Sequence, residues 1–94
     1  MRLTNYEVNS IKKIFLEVYQ QGQIILFGSR VDDSQKGGDI DLFIKPISKQ
    51  TLEQKIIFLA KLKAKIGDQK IDVVVSKDTT RLIEQEAIKT GIVL

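Results

Sequence analysis

The sequence predicts an α/β fold, a mixed β-sheet flanked by helices, in the order helix, strand, short helix, strand, helix, strand, helix. Three observations lead there. Apolar runs of strand length alternate with longer stretches whose apolar residues recur at helical spacing. The connection from Gly28 to Asp39 is too short for a full crossover helix with its loops, so the first two strands are expected to be antiparallel and the sheet mixed. The chain has 94 residues, 43% hydrophobic and 29% charged. It exceeds the roughly 70–80 residues below which a core usually needs staples, and it is read as one domain, 1–94.

Each element has a local reason. Thr4-Asn5-Tyr6-Glu7 matches a capping box, with the hydroxyl at the N-cap and the carboxylate three residues on. Val8, Ile11, Phe15 and Val18 then recur at helical spacing, Ile14 and Leu16 broaden the stripe, and Gly22 is the expected stop, giving a helix from about Asn5 to Gln21. Gln23 to Phe27 is apolar on both faces, which suits a central strand covered on both sides. Ser29 to Asp33 is expected to start a short helix. Asp39 to Lys45 forms the second strand, and Pro46 ends it. Thr51 and Gln54 repeat the capping-box pattern ahead of a helix with an apolar stripe of Leu52, Ile56, Leu59, Leu62 and Ile66, stopped by Gly67. Lys70 to Ser76 is the third strand. Asp78 or Thr79 caps a last helix reaching about Thr90, with Leu82, Ile83, Ala87 and Ile88 on its buried face. Ile92-Val93-Leu94 is an apolar tail that either packs on the domain or docks on a partner.

Composition narrows the chemistry. There is no Cys, so no disulfide or thiolate, and no His, so no Ser-His-Asp triad and no imidazole-ligated zinc. Acid–base or metal chemistry falls to carboxylates. The net charge of +3 suits phosphate-bearing ligands or an acidic partner, and suits a merely solvated surface equally well. No apolar run is long enough to span a bilayer and no leader pattern opens the chain, so a cytoplasmic location with no membrane partner is expected. Lys55, Lys61, Lys63 and Lys65 make one helix basic, but Phe58 is the only aromatic there. Base-stacking platforms interleave aromatics with their basic residues, so nucleic acid is not expected as a direct ligand.

The stretch from Ile24 to Ile44, IILFGSRVDDSQKGGDIDLFI, carries the functional signal. In a strand, side chains alternate between faces, so Asp39 and Asp41 share one face. Two close carboxylates repel unless a cation lies between them, and Mg²⁺ takes carboxylates together with substrate phosphates. Gly28-Ser29, at the end of the preceding strand, offers backbone that a phosphate approaches closely and N–H groups that point at an anion. Taken alone, Gly28-Ser29 reads as a simple turn. Arg30 reads equally as a phosphate contact or as a loop anchor. Asp72 interrupts an apolar strand. Alone it reads as an edge or lysine-paired Asp, but beside Asp39 and Asp41 it reads as a third metal-site carboxylate, and a single register brings it to the pair.

Gly28-Ser29, nine intervening residues and Asp39-Ile40-Asp41, with Asp72 later between apolar residues, resemble the signature of the polymerase-beta-type nucleotidyltransferases. The short chain is most similar to their minimal nucleotidyltransferase (MNT) branch. Gly37-Gly38 before Asp39 departs mildly from the Gly-Ser or Asp-Ser pair common there. The resemblance implies the minimal polymerase-beta-like fold and transfer of a nucleoside monophosphate from a triphosphate, ATP here, to a hydroxyl. It implies that Gly28, Ser29 and Arg30 bind the nucleotide. Asp39, Asp41 and Asp72 would be the catalytic carboxylates and the ligands of two Mg²⁺ ions. It further implies an antitoxin whose partner is an all-helical HEPN ribonuclease toxin, neutralised by adenylylation of a tyrosine, by binding alone, or by both. A haloacid-dehalogenase-type Asp-x-Asp is the competing resemblance. It expects Thr or Val where Phe43 stands and leaves Gly28-Ser29 without a role.

Overall fold

The computed structural model describes residues 1–34, 38–47 and 51–94. Three α-helices, α1 (Asn5–Tyr19), α2 (Leu52–Ile66) and α3 (Leu82–Thr90), accompany four strands, β1 (Gly22–Phe27), β2 (Ile40–Pro46), β3 (Ile71–Val75) and β4 (Ile92–Val93). The predicted short helix is a 3-10 turn over Gly28–Val31. The sheet order is β3-β2-β1-β4. β1 pairs antiparallel with β2 and with β4, and β2 pairs parallel with β3 through the α2 crossover. The sheet is therefore mixed, as the short Gly28-to-Asp39 connection requires.

The strands divide their side chains between two unequal layers. Ile24, Leu26, Ile40, Leu42, Ile44, Ile71 and Val73 face α1 and α2 and form the main core with Ile11, Ile14, Phe15, Tyr19, Phe58 and Leu62. Tyr19 stacks on Phe15 at 5.6 Å between ring centroids and meets Phe58 edge-on at 6.0 Å. On the other face, among the described residues, a smaller set of Ile25, Phe27, Phe43 and Ala87 is buried together, with Val74 against them. Strand alternation puts Asp41 and Asp72 on this thinner face.

Both capping boxes form. The Glu7 amide donates to Thr4 Oγ1 at 3.0 Å and the Thr4 amide to Glu7 Oε1 at 2.9 Å. Thr51 and Gln54 exchange the same pair of bonds at 3.0 and 3.3 Å. Details of all three helices differ from the sequence expectation, and the tail takes one of its two expected alternatives, packing on the domain. Helix α1 stops at Gln20, whose φ of 68° breaks the helix, and Gly22 instead opens β1. In α2, Leu59, Leu62 and Ile66 of the expected stripe pack on the core, but Leu52 and Ile56 are exposed, and Phe58 and Gln54 turn inward in their place. Burying the Phe58 ring against Tyr19 outweighs the aliphatic stripe. In α3, Leu82 is 83% exposed and Ile83 and Ile88 also face outward, while Glu84 and Ala87 are fully buried. The tail is a strand: Ile92 and Val93 pair with Leu26 and Ile25, and the Leu94 amide donates to Ile24 O at 2.9 Å.

Glu84 explains how α3 is rotated. Its carboxylate accepts from the Ser76 hydroxyl at 2.7 Å and from the Lys77 and Asp78 amides at 3.0 and 3.1 Å, and it pairs with Arg81 at 3.3 Å. Burial alone would push this carboxyl up, but the Asp78 and Lys77 amides, the Ser76 hydroxyl and Arg81 together hold it below its ordinary value. Arg81, not Asp78 or Thr79, occupies the N-cap. Asp78 instead ties the preceding turn by accepting from the Thr80 amide and hydroxyl. A buried charge thus replaces the apolar stripe that periodicity predicts.

The two α2 stripes are separable by denaturation. Phe58→Ala is expected to lower the unfolding free energy by about 3–5 kcal/mol. Ile56→Ala, on the exposed face, should stay within about 0.5 kcal/mol of the parent. Urea unfolding followed by far-UV circular dichroism measures both, and equal losses would show that both rows are buried.

Candidate nucleotide and metal site

The site is built where β1 ends and β2 and β3 begin. Phe27, the last residue of β1, pairs with Asp41, and Asp41 in turn pairs with Asp72. The parallel register thus sets two carboxylates side by side on one face, the arrangement expected from the third strand's single interruption.

The turn after β1 closes onto these groups at two glycines. Gly28 has φ of +76°, and a Cβ there would collide with the Asp41 carboxylate. Gly38 has φ of +89°, and a Cβ there would collide with the Ser29 hydroxyl. The backbone therefore lies directly against both functional side chains, a fit that no residue with a side chain reproduces. Gly37, read with Gly38 as the close of the loop, lies outside the described residues.

Two arginines hold this turn in shape. Arg2, which the sequence reading passed over, donates from Nη2 to Ser29 O and from Nε to Asp32 O, each at 2.9 Å, and its amide donates to Arg30 O at 2.7 Å. Arg30 donates to Gly38 O at 3.2 Å, Arg2 O at 3.0 Å and Gln69 Oε1 at 3.2 Å. Gln69 passes the chain on to Glu7 at 2.7 Å. Of the two roles open to Arg30 from sequence, loop anchor is the one its hydrogen bonds display. Arg2 carries no motif; only the fold brings it to the Gly28–Ser29 turn.

Asp39 stands just before β2, and its Oδ2 lies 3.3 Å from Lys70 Nζ. Asp41 is half-buried. Burial first, then the charges of Asp72 and Asp39, raise its carboxyl above the ordinary range, with Lys70 opposing and Glu86 adding to the rise. Glu86 is a second residue the sequence reading missed. It projects from α3 into a cleft of about 400 Å³ whose walls also include Gly28, Ser29, Val31, Asp32 and Thr90. Its signal was masked because α3 was expected to turn Ile83 and Ile88 inward.

Among the described residues, no group of three or more carboxylates converges closely enough to enclose a metal unaided. The donor chemistry nevertheless fits Mg²⁺. Asp41 and Asp72 present hard oxygens at adjacent positions, Asp39 is next along the face, and Asp41 is held in an unfavourable charged environment that a cation relieves. Mg²⁺ takes few protein ligands and completes its shell with phosphate oxygens and water. No described helix is long and apolar enough to cross a membrane. A model of the family described as Polymerase beta, Nucleotidyltransferase matches residues 9–94. No curated protein matches the chain.

The crowding of Asp41 has a pH signature. Its carboxyl is raised in the folded protein, so ionisation destabilises the fold; the cost is present above the folded value and vanishes as pH falls below the unfolded value of 3.8. Asp41→Asn is expected to melt higher than the parent at pH 7 in EDTA, with the difference shrinking toward zero by about pH 3. Thermal melts across pH check it. A variant that is less stable at neutral pH would mean that Asp41 is favourably compensated.

Proposed function

The chain belongs to the polymerase beta nucleotidyltransferase family, and on that footing we propose that it is a Mg²⁺-dependent enzyme moving AMP from ATP onto a hydroxyl. The proposed acceptor is a tyrosine of a cognate HEPN-type ribonuclease toxin. The chain then acts as that toxin's antitoxin, in the cytoplasm, where ATP and Mg²⁺ are abundant. One observation carries the reading: Asp41 and Asp72 lie in register, and the glycine-built turn that bears Ser29 packs its Gly28 backbone against the Asp41 carboxylate.

The roles follow from placement. Ser29 and the turn's N–H groups receive the terminal phosphates, and Gly28 keeps that backbone clear of any side chain. Arg2 and Arg30 hold the turn's shape through its carbonyls, so the phosphate seat is formed before ligand arrives. Asp39, Asp41 and Asp72 would hold the metal. Two Mg²⁺ ions, when bound, supply Lewis acidity and orient the attacking and leaving oxygens. In the transfer, the acceptor oxygen bonds to the α-phosphorus and the bond from that phosphorus to the β-phosphate's bridging oxygen breaks. Pyrophosphate leaves with the bonding pair. Asp72 takes the hydroxyl proton. It is exposed and sits on the sheet's edge strand, where a macromolecular acceptor has access.

A second reading, an antitoxin that works by binding alone, is favoured by the Lys70–Asp39 ion pair, which engages one of the carboxylates. The two readings part in a mass measurement. With ATP, Mg²⁺ and the cognate toxin, the parent protein is expected to add whole AMP units to the toxin, and Asp72→Asn to add none while still binding it. Neutralisation by both proteins without any mass gain would establish the binding role. Ser29→Ala should keep the fold and weaken Mg-ATP binding by about 1.5–3 kcal/mol in calorimetry, the worth of a hydrogen bond to a charged group. Unchanged binding would reduce Ser29 to a turn residue.

A further inference from the structure

We infer that Lys70 is the built-in counter-cation of the carboxylate cluster, and that it sets the site's divalent-cation affinity because its ammonium must leave Asp39 before a metal seats. The inference rests on the proposed nucleotidyl-transfer site.

The placement is set by backbone. Lys70 immediately precedes β3, and its carbonyl accepts from the Ile40 amide at 3.0 Å, so its Cα is tied to the start of β2. From there Nζ reaches Asp39 Oδ2 at 3.3 Å. The ammonium feels Asp39 most, then Asp72 and Asp41, and these neighbours raise it above its ordinary value despite some desolvation. Glu86 adds a further negative charge beside Asp41. At Asp41, Lys70 opposes the rise that Asp72 and Asp39 cause. A divalent cation drawn to the same oxygens competes with it directly, because both are held by the same electrostatic field.

The competition is built to be lost. The Lys70 side chain is 71% exposed and Asp39 40% exposed, so water screens the pair and its release costs little. A four-carbon stem lets the ammonium swing into solvent without moving β3. Lys70 thus offsets the carboxylates' repulsion without sealing the site. Its ammonium, once displaced, is near the phosphate-bearing ligand that a metal brings.

Manganese binding tests this with a readout independent of transfer. Mn²⁺ titrations followed by electron paramagnetic resonance, with melts in EDTA and in Mn²⁺, compare the parent with Lys70→Gln, Lys70→Arg and Asp41→Asn. Lys70→Gln is expected to bind Mn²⁺ about two- to tenfold tighter, the range that an exposed pair's strength allows. It should melt lower than the parent in EDTA and gain more from Mn²⁺. Lys70→Arg should stay near the parent. If Asp41→Asn loses Mn²⁺ while Lys70→Gln binds as the parent does or more weakly, the inference about Lys70 is overturned and the site stands. If none of the four proteins binds Mn²⁺, both fail together.

Discussion

The parallel pairing of β2 with β3 is the constraint on which the rest depends. It sets Asp41 beside Asp72 on the sheet's thinner face. Like charges held that close oppose folding unless something else supplies the stability. The main core supplies it from the other side of the same strands. Ile40, Leu42, Ile71 and Val73 alternate with the aspartates and are buried against α1 and α2. One face of β2 and β3 thus holds the strands in register, and the opposite face uses that register for charge. A slip of one residue would exchange the two faces, so the apolar pattern that builds the core also protects the site.

The helices divide along the same line. α1 and α2 close the core through Phe15, Tyr19, Phe58 and Leu62, and the tie from Glu7 through Gln69 to Arg30 connects α1 to the turn after β1. α3 contributes Ala87 to the thinner core. It is anchored by Glu84, which gathers the amides and hydroxyl of the loop leaving β3. With α3 so anchored, Glu86 lines the cleft beside Gly28 and Ser29. Asp72 itself is exposed on the sheet's edge strand.

The site itself is a balance of close approach and charge. Gly28 and Gly38 remove side chains where backbone meets Asp41 and Ser29, and two arginines fasten the turn by its carbonyls. The result is a turn fastened by its own carbonyl contacts, next to an Asp41 carboxyl that burial and the neighbouring Asp72 and Asp39 raise. Lys70 offsets part of that rise from the solvent side. A glycine-built turn beside a crowded acidic face is the chemistry on which the proposed metal and polyphosphate reading rests.

By itself the sequence determined the fold class, the first three strands, both capping boxes, the antiparallel first pair and the Gly28-Ser29 and Asp39-x-Asp41 pattern. These are local: period two, period 3.6, a cap three residues from its partner, a loop too short to cross. Asp72 was legible because a charge inside an apolar strand demands a reason. What only the tertiary structure decided involves distant partners. Arg2 reaches the turn from the chain's first residues, Arg30 spends its donors on carbonyls, Lys70 meets Asp39, and the last residues become β4 by finding β1's free edge. The rotations of α2 and α3 were undecidable for the same reason. An apolar stripe states that a helix has a face, but Phe58 against Tyr19, and Glu84 against three donors of a loop, are contacts between segments whose meeting no local spacing records.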